Sequence, residues 1–268
     1  MIVAGRGNVG RSLVQALHAA GLEAQLIPSR EAAAVRAGTV FLTEQDGAVL
    51  AIAKQIAKRQ PPAGVAFVHV SGALGLDALA PLADDHDVGS FHPLQSFPSP
   101  QPPEALRGIT VAIDASSVRL ERRLARLAED IGARPRHVGD SERVLYHAAA
   151  VFASNYVVAV VNEAAKMLRA AGWMQDEAEQ ALLPLVEGVV RSIRSGGTVR
   201  ALTGPIRRGD ADTVARHLDA LDRPDLYRML GSIALEIAKE AGLEPAAAGR
   251  IKRALTRDVA ATRRRGRA

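Results

Sequence analysis

Gly5-Arg6-Gly7-Asn8-Val9-Gly10 constrains this 268-residue chain more than any other stretch. It follows the apolar triplet Ile2-Val3-Ala4 and opens a helical pattern over residues 9–20. A G-x-G-x-x-G with a strand before it and a helix after it is a dinucleotide-binding signature with a physical basis. The first glycine makes the tight turn, the second lets backbone approach a pyrophosphate, and the third lets helix pack on strand. The helix start then offers free amides and the positive end of its dipole to the phosphates. Gly5, Arg6, Gly7, Asn8, Val9 and Gly10 are therefore the first candidate cofactor residues. Met1 precedes Gly5 by only four positions, a short lead-in for a first strand.

The rest of the first half agrees with that frame. Apolar runs predict strands at 24–27, 39–43, 66–70, 88–91, 109–113 and 136–138, with helices at 48–58 and 120–131. This alternation implies βαβ units and a mostly parallel sheet. Four prolines within 98–103 mark a surface loop or a bend over a cleft. From Ser141 onward only helical patterns occur, over 141–171, 176–193, 210–221, 224–240 and 245–262. The expected fold is α/β: an N-terminal Rossmann doubly wound sheet followed by an all-α domain. The expected boundaries are 1–140 for the NADP-binding domain, 141–262 for an all-α substrate and dimerisation domain, and 263–268 for a basic tail.

Composition removes other classes. There is no Cys, so disulfides and thiolate chemistry are excluded. With no signal-peptide pattern, a cytoplasmic protein is expected. No apolar run reads as the roughly 18–20 residues of a membrane span. The 7 His are scattered without ligand spacing, so no metal site is expected. The net charge of +5 falls to +1 once Arg263, Arg264, Arg265 and Arg267 are set aside. The basic character thus belongs to a terminal run, and no nucleic-acid partner is expected from it. Aromatics at 3% leave few stacking platforms for single strands.

Cofactor choice is read at the end of the second strand. NAD sites place an acid there, whereas NADP sites place groups for the 2′-phosphate. This chain has Pro28-Ser29-Arg30, so Ser29 and Arg30 favour NADP(H). Ser71 and Gly72 end the fourth strand, where ligands of open α/β sheets lie, although turn chemistry explains them equally. Asp46 is either a helix cap or a neighbour of the cofactor. His92, at the end of the fifth strand, either donates to a substrate or holds a loop. On the first long helix after the sheet, His147 and Ser154 share a face, as do Asn155 and Asn162. Their Ala- and Val-rich surroundings predict half-buried groups that need partners. Thr203 and Arg208 join two later helices, and Arg208 offers a fork for a carboxylate.

Taken together these segments resemble a family of Rossmann-like proteins joined to an all-α C-terminal domain of formerly unknown function. In plan the chain is similar to the 6-phosphogluconate dehydrogenase-like superfamily, which includes ketopantoate reductase and pyrroline-5-carboxylate reductase. The resemblance rests on Gly5 to Gly10, Ser29-Arg30, Ser71-Gly72-Ala73-Leu74, Phe91-His92-Pro93-Leu94, His147-Ala148-Ala149 with Ser154-Asn155, and Leu202-Thr203-Gly204-Pro205 with Arg208-Gly209-Asp210 and His217. It implies an NADP-binding fold, a cleft between domains and a homodimer formed through the helical domain. It also implies 2-dehydropantoate reductase-like chemistry for some members. One departure stands out. Ketopantoate reductases use a Lys four residues before an Asn on this helix, and counting back from Asn155 gives Val151.

The expected activity is an NADP-dependent oxidoreductase acting on a small 2-oxo acid or an imine. Asn155 is the expected hydrogen-bond donor, His147 the acid, Arg208 the carboxylate clamp, and Thr203 a substitute acid. The missing Lys supports an alternative, an NADP-binding regulatory or sensor protein without turnover.

Overall fold

The computed structural model describes residues 1–257; the basic tail and the end of the helix expected to reach Thr262 lie outside them. The chain divides into two compact units, one from Met1 to Val160 and one from Val161 onward.

The first unit is built on seven strands: β1 (Ile2–Ala4), β2 (Gln25–Ile27), β3 (Thr39–Leu42), β4 (Ala66–His69), β5 (Val88–Pro93), β6 (Thr110–Ala115) and β7 (Arg134–His137). Their order is β2-β1-β3-β4-β5-β6-β7. β1 to β5 are parallel, β6 runs antiparallel to β5, and β7 is parallel to β6. The chain steps from β1 to β2 on one side, then crosses to β3 on the other. That reversal makes a crevice beyond the carboxyl ends of β1 and β3, the place where such sheets bind ligands.

Helices cover both faces, which is why the central strands read as unbroken apolar runs. On one face Phe41, Val68, Phe91 and Ile113 pack against α1 (Asn8–Ala19) and α3 (Val118–Asp130) through Leu13, Leu17, Leu120 and Leu124. On the other, Val40, Leu42 and Phe67 meet α2 (Asp46–Ala57) and the 3-10 turn Leu76–Leu82.

The expected helix over 141–171 is two helices. α4 (Asp140–Ala153) and α5 (Asn155–Ala170) are separated at Ser154, whose backbone leaves the helical region at φ −122°, ψ −76°. No Gly or Pro marks the break. By length and composition, Asp140–Ala170 is apolar enough to cross a membrane, contrary to the expectation from sequence. Its first turns are tied to the sheet by the buried Arg143, however, and the break interrupts it. Burial of the polar groups on this stretch was also expected; Asn155 and Asn162 are exposed instead.

The second unit adds α6 (Gln175–Ala201), α7 (Gly204–Arg208), α8 (Ala211–Ala220), α9 (Pro224–Glu240) and α10 (Pro245–Thr256). Helical backbone is lost in α6 at Gly197, with φ 74° and ψ 173°, where the Gly-Gly pair predicts a stop. Ile206, Val214, Leu218, Leu235, Ile251 and Leu255 form its core.

The tightest constraint lies between β1 and α1. A Cβ added at Gly10 would sit 2.1 Å from the Gly5 carbonyl oxygen, whereas one at Gly7 would meet nothing within 4 Å. Gly10→Ala should therefore cost roughly 1–3 kcal/mol or more, lowering Tm by about 2–4 °C per kcal/mol. Gly7→Ala should stay within about 0.5 kcal/mol. Thermal unfolding of the two variants checks the contrast.

Candidate functional site

The glycine loop is shaped from three sides. Gly5 takes φ 125°, a region that L side chains rarely adopt. Its amide donates to the Ile27 carbonyl of β2 at 3.0 Å. The buried Thr43 hydroxyl at the end of β3 donates toward Gly5 O at 3.0 Å and Ala4 O at 3.2 Å. α1 begins at Asn8 with Gly7 as its cap residue and no side chain on its first amides. Open space over Gly7 and uncapped amides behind it fit a pyrophosphate. The Asn8 side chain is engaged elsewhere, donating to Phe97 O at 3.0 Å. The Ser12 hydroxyl accepts from Gln101 N at 2.7 Å, so α1 also holds down the proline-rich loop.

At the end of β2, Ser29 opens a 3-10 turn, Ser29–Ala34. The Arg30 side chain is 82% exposed, and among the described residues its one ion-pair partner is Glu31 at 4.0 Å. An exposed pair at that distance is worth little, so Arg30 is free to meet an anion. Asp46 is the first residue of α2 and caps nothing.

Ser71 belongs to the scaffold. Its buried hydroxyl accepts from the amides of Ala73 and Leu74 at 3.1 and 3.0 Å, forming the turn after β4. Those bonds use its two acceptor sites and leave the O–H to donate. Its own amide donates to His69 Nδ1, whose Nε2 faces Gly75 O at 3.1 Å. Gly72 has a different role. A Cβ there would come within 2.7–2.9 Å of the His92 and His147 rings, so only glycine lets both approach.

His92, Tyr146 and His147 form the polar wall of a cleft of about 660 Å³. His92 Nδ1 lies 2.7 Å from the Tyr146 hydroxyl, and the His92 and His147 rings meet edge-on with centroids 6.3 Å apart. Leu94, Gln95, Ser96, Ser154, Asn155 and small apolar side chains of α4 complete the lining, and apart from the histidines none of these residues is ionisable near neutral pH. Among the described residues, His147 Nδ1 is buried without a hydrogen-bond partner. Because the helix breaks at Ser154, His147 and Asn155 share this cleft without lying on one continuous helix.

Behind the wall sits Arg143, 1% exposed. Its Nη2 donates to Val138 O at 2.8 Å and Ser90 Oγ at 2.9 Å, with Asp114 Oδ2 at 3.5 Å and the Asp140 carboxylate 3.8 Å from Nε. Sequence reasoning missed Arg143. Its one signal is a spacing of three from Tyr146 on a helix, which puts both on one side. Burial, and after it Arg143, pulls His69 down to about 4. Burial, then His147 and Arg143, pulls His92 down to about 4 as well. Burial pushes Tyr146 up to about 12. His92 and Tyr146 are therefore uncharged at neutral pH.

Thr203 and Arg208 belong to the second unit. Thr203 precedes α7, and both are exposed, lining a shallow depression with Arg200 and Arg207. Asp210 caps α8 by accepting from Thr213 N at 3.0 Å.

A domain of unknown function, DUF2520, matches residues 109–237. No curated protein matches the chain. Among solved structures, a protein of Bacteroides fragilis, provisionally named an NADP oxidoreductase, is 21% identical with TM-score 0.71, covering 89% of this chain and 97% of that one. A Thermotoga maritima protein is 22% identical with TM-score 0.71, covering 89% and 98%. The Plasmodium falciparum pyrroline carboxylate reductase, solved with NADP bound, is 10% identical with TM-score 0.58, covering 95% and 98%. These likenesses establish the fold, a Rossmann-like domain followed by a helical one.

Two buried neutral histidines make stability pH-dependent. Each takes up a proton on unfolding below the usual 6.5, so their contribution is complete above that value and is lost as pH falls toward 4. Denaturation midpoints measured from pH 7 to 4 should fall steadily, and His69→Asn or His92→Asn should flatten the slope.

Proposed function

We propose that this chain is an NADP(H)-dependent oxidoreductase that reduces a small carbonyl or imine, a 2-oxo acid being one candidate. The observation that carries the reading is the glycine loop: open backbone at Gly7 and uncapped amides at the start of α1, set at the reversal of strand order. The Gly5–Gly10 backbone would hold the pyrophosphate, and Ser29 with Arg30 the 2′-phosphate. NADPH, when bound, supplies a hydride. The named activities of the structural relatives support the same class. His147 and Asn155 are the candidate substrate contacts in the cleft, with Thr203 and Arg208 as candidates from the helical unit.

NADPH should bind at least about tenfold tighter than NADH, since a charged phosphate contact is worth roughly 1.5–3 kcal/mol. Arg30→Ala should remove most of that gap. Calorimetric titration decides, and equal affinities in the wild type would reject the NADP assignment. Absorbance at the nicotinamide band, with ketopantoate and 1-pyrroline-5-carboxylate as probes, tests turnover. Val151 on the cleft wall, at the position counted for the Lys of ketopantoate reductases, favours a second reading, a cofactor-binding sensor. Tight NADPH binding with no turnover on any probe would select it.

We also propose a homodimer. α4 exposes Val144 at 78% and Leu145 at 77%, and α5, α6 and α9 leave Val158, Leu185 and Met229 uncovered. Apolar surface on this scale marks an interface. Light scattering at micromolar concentration should give twice the chain mass, with the obligate class burying above about 2,000 Å². A monomer would reject it.

A further inference from the structure

His92 and Tyr146 stand 54 positions apart in the chain and meet at 2.7 Å in the cleft wall. We propose that His92, fixed as its Nε2–H tautomer by the Tyr146 hydroxyl, is the proton donor of the reduction, with Tyr146 as the relay behind it. The proposal rests on the oxidoreductase reading and supplies the acid that Val151 cannot be.

The direction of the hydrogen bond follows from acidity. A phenol O–H is a stronger acid than a neutral imidazole N–H, and an imidazole nitrogen is a better acceptor than a phenol oxygen. Tyr146 therefore donates to Nδ1, and the partner of one ring nitrogen fixes the proton on the other. Nε2 of His92 lies on the Gly72 side, 2.8 Å from where a Cβ would stand. The unpartnered His147 Nδ1 is 2.9 Å from the same point. Two ring nitrogens thus face one small region beyond the carboxyl ends of β4 and β5. Gly72 lets both rings pack there, and both histidines line the cleft.

The step balances. The carbon of a C=O or C=N bond receives a hydride from NADPH, which is oxidised to NADP+. The π electron pair moves to the oxygen or nitrogen and forms a bond to the hydrogen leaving Nε2. As Nε2 gives up its hydrogen, Nδ1 takes that of Tyr146, and the tyrosinate recovers a proton from water. Both groups start neutral. His147, Arg143 and His69 disfavour the charged form of His92 and Asp46 favours it, while burial outweighs each of them. For Tyr146, burial acts against ionisation and Arg143 acts for it.

The test uses the full chain labelled with nitrogen-15 at histidine. His92→Asn identifies the His92 signals by their loss. In the wild type at neutral pH, Nε2 should give the resonance of a protonated nitrogen and Nδ1 that of an unprotonated acceptor. Tyr146→Phe should shift both toward a mixture of tautomers while unfolding cooperatively. It should also lower kcat by roughly a hundredfold on whichever probe carbonyl or imine the wild type reduces, with NADPH affinity unchanged. A wild-type His92 protonated on Nδ1, a tautomer unchanged in Tyr146→Phe, or undiminished kcat in that variant overturns the donor role alone. Failure of the wild type to bind NADPH in a fluorescence titration overturns the oxidoreductase reading and the donor role with it.

Discussion

The buried guanidinium of Arg143 ties the functional half of this molecule together. It reaches Ser90 on β5, Asp114 on β6 and the backbone just after β7 from a single position on α4. One turn later the same helix presents Tyr146 and His147 to His92. A buried cation left without its carboxylates is costly, so the helix is held where Asp114 and Asp140 can meet it. The sheet's reversal makes this possible. β7 runs downward beside β6 and leaves the sheet near Ile113, the level of Phe91. α4 must then climb back toward the carboxyl edge, and in doing so it passes Ser90 before His92. Had β6 and β7 continued parallel, the chain would have emerged already at that edge.

The two halves of the candidate site use glycine in different ways. At Gly10 the missing side chain brings a helix onto a strand, which creates the loop geometry. At Gly72 it brings two aromatic rings onto a turn, which creates the polar wall. Among Gly5, Gly7, Gly10 and Gly72, only Gly7 faces open space, and that contrast separates a glycine needed for packing from one that leaves room for a ligand.

The frame was legible in the sequence because its signals are local. The glycine spacing, the apolar runs of β3 and β4, the Asp210 cap and the weakening of α6 near Gly197 each depend on a few neighbouring residues. The site was only partly legible because its parts are not neighbours. Ser71 carries the right chemistry for a ligand, but its hydroxyl is used by two amides of its own turn. Asn155 reads as part of a helix core, yet the chain breaks at Ser154 with no residue there that announces it. Arg143 looks like one more surface arginine until the sheet folds around it. Tyr146 becomes significant only because β5 brings His92 to it.

The cleft beside His92 has another property that follows from its lining. Oppositely charged groups attract across many ångströms, weaken as ions are added, and draw molecules in before they touch. The His92–Tyr146 pair, with the amides, hydroxyls and methyl groups around it, is uncharged at neutral pH and has no such reach. A molecule gains nothing from it until within a hydrogen bond's length, and dissolved salt has little to screen. Selection by this pair is therefore made at contact, by the match of donors, acceptors and shape, and any attraction from a distance has to come from other charges on the chain.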